Sequence, residues 1–315
     1  MIGHGMETAI AITLAVIDSS CFAAAAVYQQ RAVRRTVRHR LTLRELVSLP
    51  TQRSWLGGVG LATFGMCLHI IALILAPVSL VQPIGILGVP IAVLLAARLA
   101  GVRPSKATLA PILVCLTGIG GFVWLAASRI SSDQPVPLSL LVVAEGIILA
   151  TMAVAAVVAR RLHGWSRCLV DAVAGAFGVG MVAALMRALV QHIQTGGTLF
   201  DLHSLSLLAL MGLSGAAGGW LVQQAYASGP AEVVLASLTV VDPMIAVVVG
   251  LVVLGEGQRL SATNDMIMIT FGVIAATGVV ALAKTHPEVA KRKQAASAPV
   301  ALDRTTPVRV VERVW

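Results

Sequence analysis

In a chain of 315 residues, 57% hydrophobic and only 12% charged, charge falls well below the ~25% of an average soluble domain, which excludes a water-soluble globule. The formal net charge of +9 raises nucleic acid as a partner. The placement of the basic residues answers that below in favour of membrane topology, and no nucleic acid is expected. The fold class expected is all-α: a polytopic helical membrane protein with about nine transmembrane helices, four in the first half and five in the second.

The first apolar segment spans 7–29 and carries Asp18 eleven residues in. At about 1.5 Å of rise per residue this is about 16 Å deep, the midplane of a ~30 Å hydrocarbon core. Segment 30–53 is a basic cytoplasmic loop in which Val33, Val37 and Leu41 recur at i, i+4 among arginines. It reads either as a short amphipathic helix on the inner membrane surface or as a solvated loop. From Trp55 to Ala97 no Asp, Glu, Lys or Arg occurs, and Pro77 divides the run. One resulting helix, 54–75, holds His69; the other, 78–98, holds Gln82 and Pro90. A fourth helix over 107–127 closes the first half, residues 1–127.

The second half, 138–284, begins with a helix over 138–159 that bears Glu145, followed by helices over 168–190 and 204–227. Next comes 231–254, almost wholly apolar except that Asp242-Pro243 stands eleven residues in, again at the midplane. A last helix spans 264–284. Residues 285–315 are basic, without periodicity, and are expected to form a disordered cytoplasmic tail. Cys21, Cys67, Cys115 and Cys168 stand singly in apolar segments, with no metal-ligand or redox spacing. The N-terminus lacks the basic stretch of a cleavable signal.

With the N-terminus outside and the C-terminus cytoplasmic, 20 of the 23 basic residues fall on the cytoplasmic side, and only Arg129, Arg187 and Arg259 on the other. Such a split is the positive-inside pattern. The chain also resembles itself at a spacing of 153 residues. Gly65, Leu68, Ala72, Pro77, Val81 and Pro90 recur as Gly218, Leu221, Ala225, Pro230, Val234 and Pro243. Matched helices are then five apart, an odd number, so the two copies thread the membrane in opposite senses. Inverted repeats of this kind are common in secondary transporters, whose sites lie at the midplane between halves.

"LAPVSLVQPIGILGVPIAVLLAARLAG" (75–101) and "ASGPAEVVLASLTVVDPMIAVVVGLVVLGEGQRLS" (227–261) resemble the two repeat cores of the drug/metabolite transporter superfamily, EamA-like branch. The shared pattern is a polar-to-Pro helix start, a mid-helix proline, a small-residue stretch and Gly255-Glu256 at the end of the second copy. The chain departs from the ten-helix layout by lacking a first helix, and Gly101-Val102-Arg103 stands where the first copy would have Gly-Glu. The nine-helix, N-out layout and "APVSLVQPIG" are also similar to NIPA-type magnesium transporters.

The resemblance implies a secondary carrier or exporter of a small metabolite or drug in the plasma membrane. The alternatives are a magnesium or other divalent-cation transporter, and a non-transporting membrane subunit. A charged residue at a helix centre costs on the order of 3 kcal/mol, so Asp18 and Asp242 are expected to face the bundle interior. There they would serve as a cation or proton site or as a counter-charge for a cationic substrate. If the cargo is magnesium, these two acids would be its ligands. Pro90 and Pro243 are expected to kink matched helices and free backbone carbonyls. Gln82, Glu145 and His69 are further candidates for the pathway. The glycine clusters sit inside apolar spans with no following Lys-Ser/Thr, unlike a phosphate loop, and no nucleophile-base grouping is evident. No enzyme activity and no cofactor are therefore expected. The expected partners are a small-molecule or ion substrate and the lipid bilayer, and a homodimer is one assembly such a chain allows.

Overall fold

The computed structural model describes residues 2–37, 41–75, 81, 84–99, 101, 106–129, 137–253 and 262–285. Every regular element among them is helical. In chain order these are α1 (Ile2–Thr36), α2 (Leu43–Ser48), a 3-10 turn (Leu49–Thr51), α3 (Arg53–Leu75), α4 (Gly88–Leu99) and α5 (Lys106–Arg129). They continue with α6 (Leu138–Ala159), α7 (Trp165–Gln194), α8 (Leu202–Ser228), α9 (Ala231–Val253) and α10 (Ala262–Thr285). Among the described residues, six stretches are long and apolar enough to cross a bilayer: Ala9–Thr36, Arg53–Ala72, Leu138–Ala159, Trp165–Gln194, Leu202–Ser228 and Met266–Lys284. Gly88–Leu99 and Leu109–Leu125 are shorter apolar helices.

Large apolar side chains face outward on several helices, among them Phe64, Ile70 and Ile74 of α3, Val143 and Ile147 of α6, and Ile269 and Val273 of α10. In water such a girdle would drive aggregation; in lipid it is the outer surface of a membrane-embedded helical protein. α1 and α7 are the most enclosed of the six candidate spans, whereas α3, α6 and α8 lie mostly at the periphery.

Helix ends follow local chemistry. Thr42 and Glu45 form a reciprocal capping box at α2: the Glu45 N–H donates to Thr42 Oγ1, and the Thr42 N–H donates to Glu45 Oε2 at 2.7 Å. Asp201 caps α8, accepting the Ser204 N–H at 2.7 Å and the Thr198 N–H at 3.0 Å. The Ser204 N–H, then His192, hold the Asp201 carboxyl well below the usual carboxylate range. Gly164 and Gly196 turn the chain before and after α7 at φ of 63° and 99°, a region that strains any residue with a side chain.

The helices meet along seams of small residues, as membrane helices do when backbones approach closely. On α3, Gly58, Gly65 and Ala72 recur every two turns on one face. Gly58 meets Gln29 and Ala25 of α1, Gly65 meets Cys21, Asp18 and Phe22, and Ala72 packs with Ala11 and Ala15. The order is reversed between the two helices, so α1 and α3 are antiparallel. The α7–α8 pair repeats the device with Gly175 and Gly178 against Gly218. The α5–α10 pair does so with Gly118 against Ala275, Gly121 against Phe271, and Gly278 against Cys115.

Two expectations change. α1 does not stop near residue 29 but continues to Thr36. Val33, Val37 and Leu41 do not rest on the membrane surface: they are buried in the main core, while Arg35 between them is exposed. The i, i+4 stripe is a core stripe because the chain folds back under the bundle after α1. The matched prolines also differ. No N–H is available at Pro90 for the Ile86 carbonyl, and the helix is interrupted by a turn at Ile86–Leu87 before α4 starts at Gly88. There the Leu87 N–H donates to Ile84 O at 3.0 Å and the Val89 N–H to Ile86 O at 3.2 Å. Pro243, by contrast, lies inside an uninterrupted α9. Residues 286–315, expected to form the tail, lie outside the described residues.

A candidate polar centre at the midplane

The close α1–α3 approach at Gly65 sets up the site. A Cβ there would lie 3.1 Å from Cys21 Cβ and 3.3 Å from Asp18 O, so only glycine fits without displacement. One turn further along the same face stands His69, whose Nδ1 lies 2.7 Å from Asp18 Oδ2. With Asp18 ionised, that nitrogen is the donor. Asp18 is buried and His69 half-buried. Breaking such a pair by removing one partner leaves an uncompensated charge, at a cost of about 3–5 kcal/mol.

Ser19 is equally buried and its hydroxyl oxygen sits among three acceptors. Ala15 O is 2.7 Å away, Asp18 Oδ1 3.1 Å and Ile84 O 3.2 Å. Ile84 belongs to the interrupted stretch before α4, so the break above Pro90 brings a backbone carbonyl beside the carboxylate. α4 itself begins close by: a Cβ on Gly88 would lie 3.4 Å from Ser19 O and 3.8 Å from Leu235 Cδ2 of α9. From the second half, half-buried Asp242 on α9 lies within the electrostatic reach of His69. Its helix is held there by Gly180 of α7, where a Cβ would lie 2.9 Å from Asp242 O.

Of the residues expected at the site, Asp18 and His69 are therefore in direct contact, and Asp242 lies within electrostatic reach of His69. Pro90 acts at one remove, through the break it causes. Pro243 follows Asp242 on a continuous helix. Glu145 stands elsewhere: its buried carboxylate is bound by Ser214 of α8, whose Oγ is 2.8 Å from each carboxylate oxygen. Gln82 lies outside the described residues. Among the described residues no three His, Cys, Asp or Glu side chains group so as to hold a metal ion.

A second polar assembly lies toward the C-terminal ends of α1 and α8. Interfacial solvation is the sequence-level account of Gln29, Gln30, Gln223 and Gln224, but Gln30, Gln223 and Gln224 are buried and bonded across helices. Gln224 clasps the backbone of Leu41 from both sides, accepting its N–H at 3.3 Å and donating to its carbonyl at 2.7 Å. Gln30 Nε2 donates to Gly229 O at 3.1 Å, and Gln223 Nε2 donates to Gln29 Oε1 at 2.9 Å. The Trp55 indole N–H reaches Gln223 at 3.4 Å. Arg167 donates to Gln224 Oε1 at 3.2 Å and pairs with Asp171. Cys168 is fully buried under this assembly, its Sγ occupying the space a Gly229 side chain would need.

Sequence reasoning missed Ser19 and misjudged the glutamines. The one signal for Ser19 was its place beside Asp18 in an otherwise apolar run. The two Gln-Gln pairs, one in each half, were visible but could not be joined without the fold. No protein-family profile matches the chain, and no curated protein or solved structure matches it either.

Proposed function

We propose that this chain is a secondary transporter of the drug/metabolite type, moving a small metabolite or drug across the plasma membrane through a polar chamber at the midplane. The observation that carries the reading is the contact between Asp18 and His69 in the first half, with Asp242 of the second half within reach of His69. Intramembrane ionisable residues that face the bundle interior mark substrate or proton pathways in membrane proteins. Their charge would bind a cation or proton, or balance a cationic cargo. The glutamine assembly supports the same reading. It ties the two halves at the cytoplasmic end with neutral amides, each bond worth only about 1 kcal/mol net, as a closure that must reopen requires.

An inverted two-half arrangement is part of the proposal. It is supported by the pattern of packing: α1 lies on α3 as α7 lies on α8, and α4 on α1 as α9 on α7. It is supported as well by the antiparallel seam between α5 and α10, helices that the 153-residue spacing maps onto one another. The nine spans, the outside N-terminus and the ten-helix relatives belong to the same proposal. A direct test measures electrogenic currents on solid-supported membranes carrying the purified full chain, challenged with panels of small metabolites and drugs. The expected result is a protein-dependent current for at least one class, reduced about tenfold or more in Asp242→Asn, a loss of about 1.4 kcal/mol. Currents indistinguishable from empty membranes, or unchanged in that variant, would overturn the reading.

A further inference from the structure

The Ser19 hydroxyl has one proton and three oxygen neighbours. Whichever neighbour takes that proton, two oxygen–oxygen contacts remain at distances of 2.7 to 3.2 Å. Ala15 O is the shortest of the three and is the i−4 carbonyl to which helical serines ordinarily donate. That leaves Asp18 Oδ1 and Ile84 O facing the lone pairs of Ser19 Oγ with no hydrogen between them. Asp18 Oδ2 is already committed to His69, and Ile84 O also accepts the Leu87 N–H. An excess of inward-facing oxygens over protons, in a buried site beside a helix break, is the arrangement by which unwound membrane helices coordinate small cations.

We infer that Asp18 Oδ1, Ser19 Oγ and Ile84 O form a binding site for a monovalent cation of sodium's size. One carboxylate and two neutral oxygens balance a single positive charge. A divalent ion would leave excess charge in the bilayer centre and would demand more carboxylates or a fuller set of waters. His69 completes the site by orienting Asp18: its Nδ1, 2.7 Å from Oδ2, fixes that oxygen and leaves Oδ1 toward Ser19. Because α4 begins between the site and α9, with the Gly88 Cβ position 3.4 Å from Ser19 O and 3.8 Å from Leu235 Cδ2, occupation of the site would be felt in the second half, which gives the ion a coupling role. That role rests on the transporter reading; the ion site itself stands on the geometry alone.

The test uses purified full-length protein in detergent, at fixed pH and ionic strength, with sodium exchanged for choline. Radiolabelled sodium retention gives the affinity. Maleimide labelling of the native Cys21, which neighbours Asp18 and is half-buried, reports the site without any flux. The expected result is saturable sodium binding and a sodium-dependent change in Cys21 labelling. Ser19→Ala should weaken the sodium affinity about tenfold, a loss of about 1.4 kcal/mol. Ser19→Thr, which keeps the hydroxyl, should retain it, and Asp18→Asn should abolish it. Labelling that responds to pH but not to sodium would assign a proton to Asp18 and overturn the proposal, as would equal binding by Ser19→Ala and the parent. Sodium binding without any substrate current would refute the transporter reading while leaving the site in place. Substrate current without sodium binding would do the reverse.

Discussion

Replacing Gly118 by alanine is expected to separate α5 from α10. The added Cβ would stand 2.3 Å from Ala275 N, 2.7 Å from Ala275 Cα and 2.9 Å from Ala275 Cβ. Those atoms are backbone or Cβ, so no rotamer change relieves the overlap. Restoring ordinary carbon contacts, at ~3.5 Å or more, requires the helices to part by about 1 Å. The opposite helix makes the same demand, since a Cβ on Gly278 would lie 2.5 Å from Cys115 N. Overpacking of this kind costs about 1–3 kcal/mol. Gly120, one turn-fraction away on α5, has nothing within 4 Å of its Cβ position. Gly120→Ala should therefore be neutral or gain up to about 1 kcal/mol from helix propensity. Unfolding by mixed-micelle titration, with maleimide labelling of buried Cys115 as the local readout, compares the two. Gly118→Ala should lower stability and accelerate Cys115 labelling, and Gly120→Ala should do neither. Equal stability for the two variants would show that α5 and α10 are not joined through this seam.

Three further outcomes are expected. Gln224→Leu removes both hydrogen bonds to Leu41 and the one from Arg167; at about 1 kcal/mol each, it should raise labelling of buried Cys168 at least about tenfold, and unchanged labelling would mean that this end of the bundle is not closed by these amides. His69→Leu strands Asp18 and should cost about 3–5 kcal/mol, whereas His69→Leu with Asp18→Leu should recover most of that loss in a double-mutant cycle. The Asp201 carboxyl is held below its ordinary pKa by Ser204 and His192, so the capped end of α8 is fully stabilised above the usual aspartate range and loosens only as pH falls through the lowered value. Protection of the Ser204 amide, its exchange relative to the intrinsic rate at the same pH, should fall only in strong acid, and in Asp201→Ala it should be low at every pH.

The bilayer made much of this chain legible. Where the solvent imposes length and composition, hydropathy alone locates a helix: α6 occupies the predicted 138–159 residue for residue, and α9 begins at the predicted residue 231. The same solvent argument singled out Asp18, which meets His69, a lesser candidate, at 2.7 Å. The signal failed where polarity had two explanations. Gln223 and Gln224 near a helix end look solvated, and only tertiary contact with Leu41 and Gln29 makes them a clasp. Val33, Val37 and Leu41 have the same period whether they face lipid headgroups or a core. The two prolines had matching sequence positions, yet one breaks its helix and the other does not. That choice depends on what re-satisfies the freed carbonyl, which lies outside the local sequence.

The length of α1 has a mechanical consequence. Its 35 residues make a rod of about 52 Å, well beyond the ~30 Å hydrocarbon core. Asp18 and Gln30 sit on this one rod about 18 Å apart along its axis. A pivot of about 5° centred on Asp18 would swing Gln30 by about 1.6 Å, far enough to pull its 3.1 Å bond to Gly229 out of hydrogen-bonding range. The first helix thus has the geometry of a lever, with Asp18 at its fulcrum and an arm ending at the glutamine contacts.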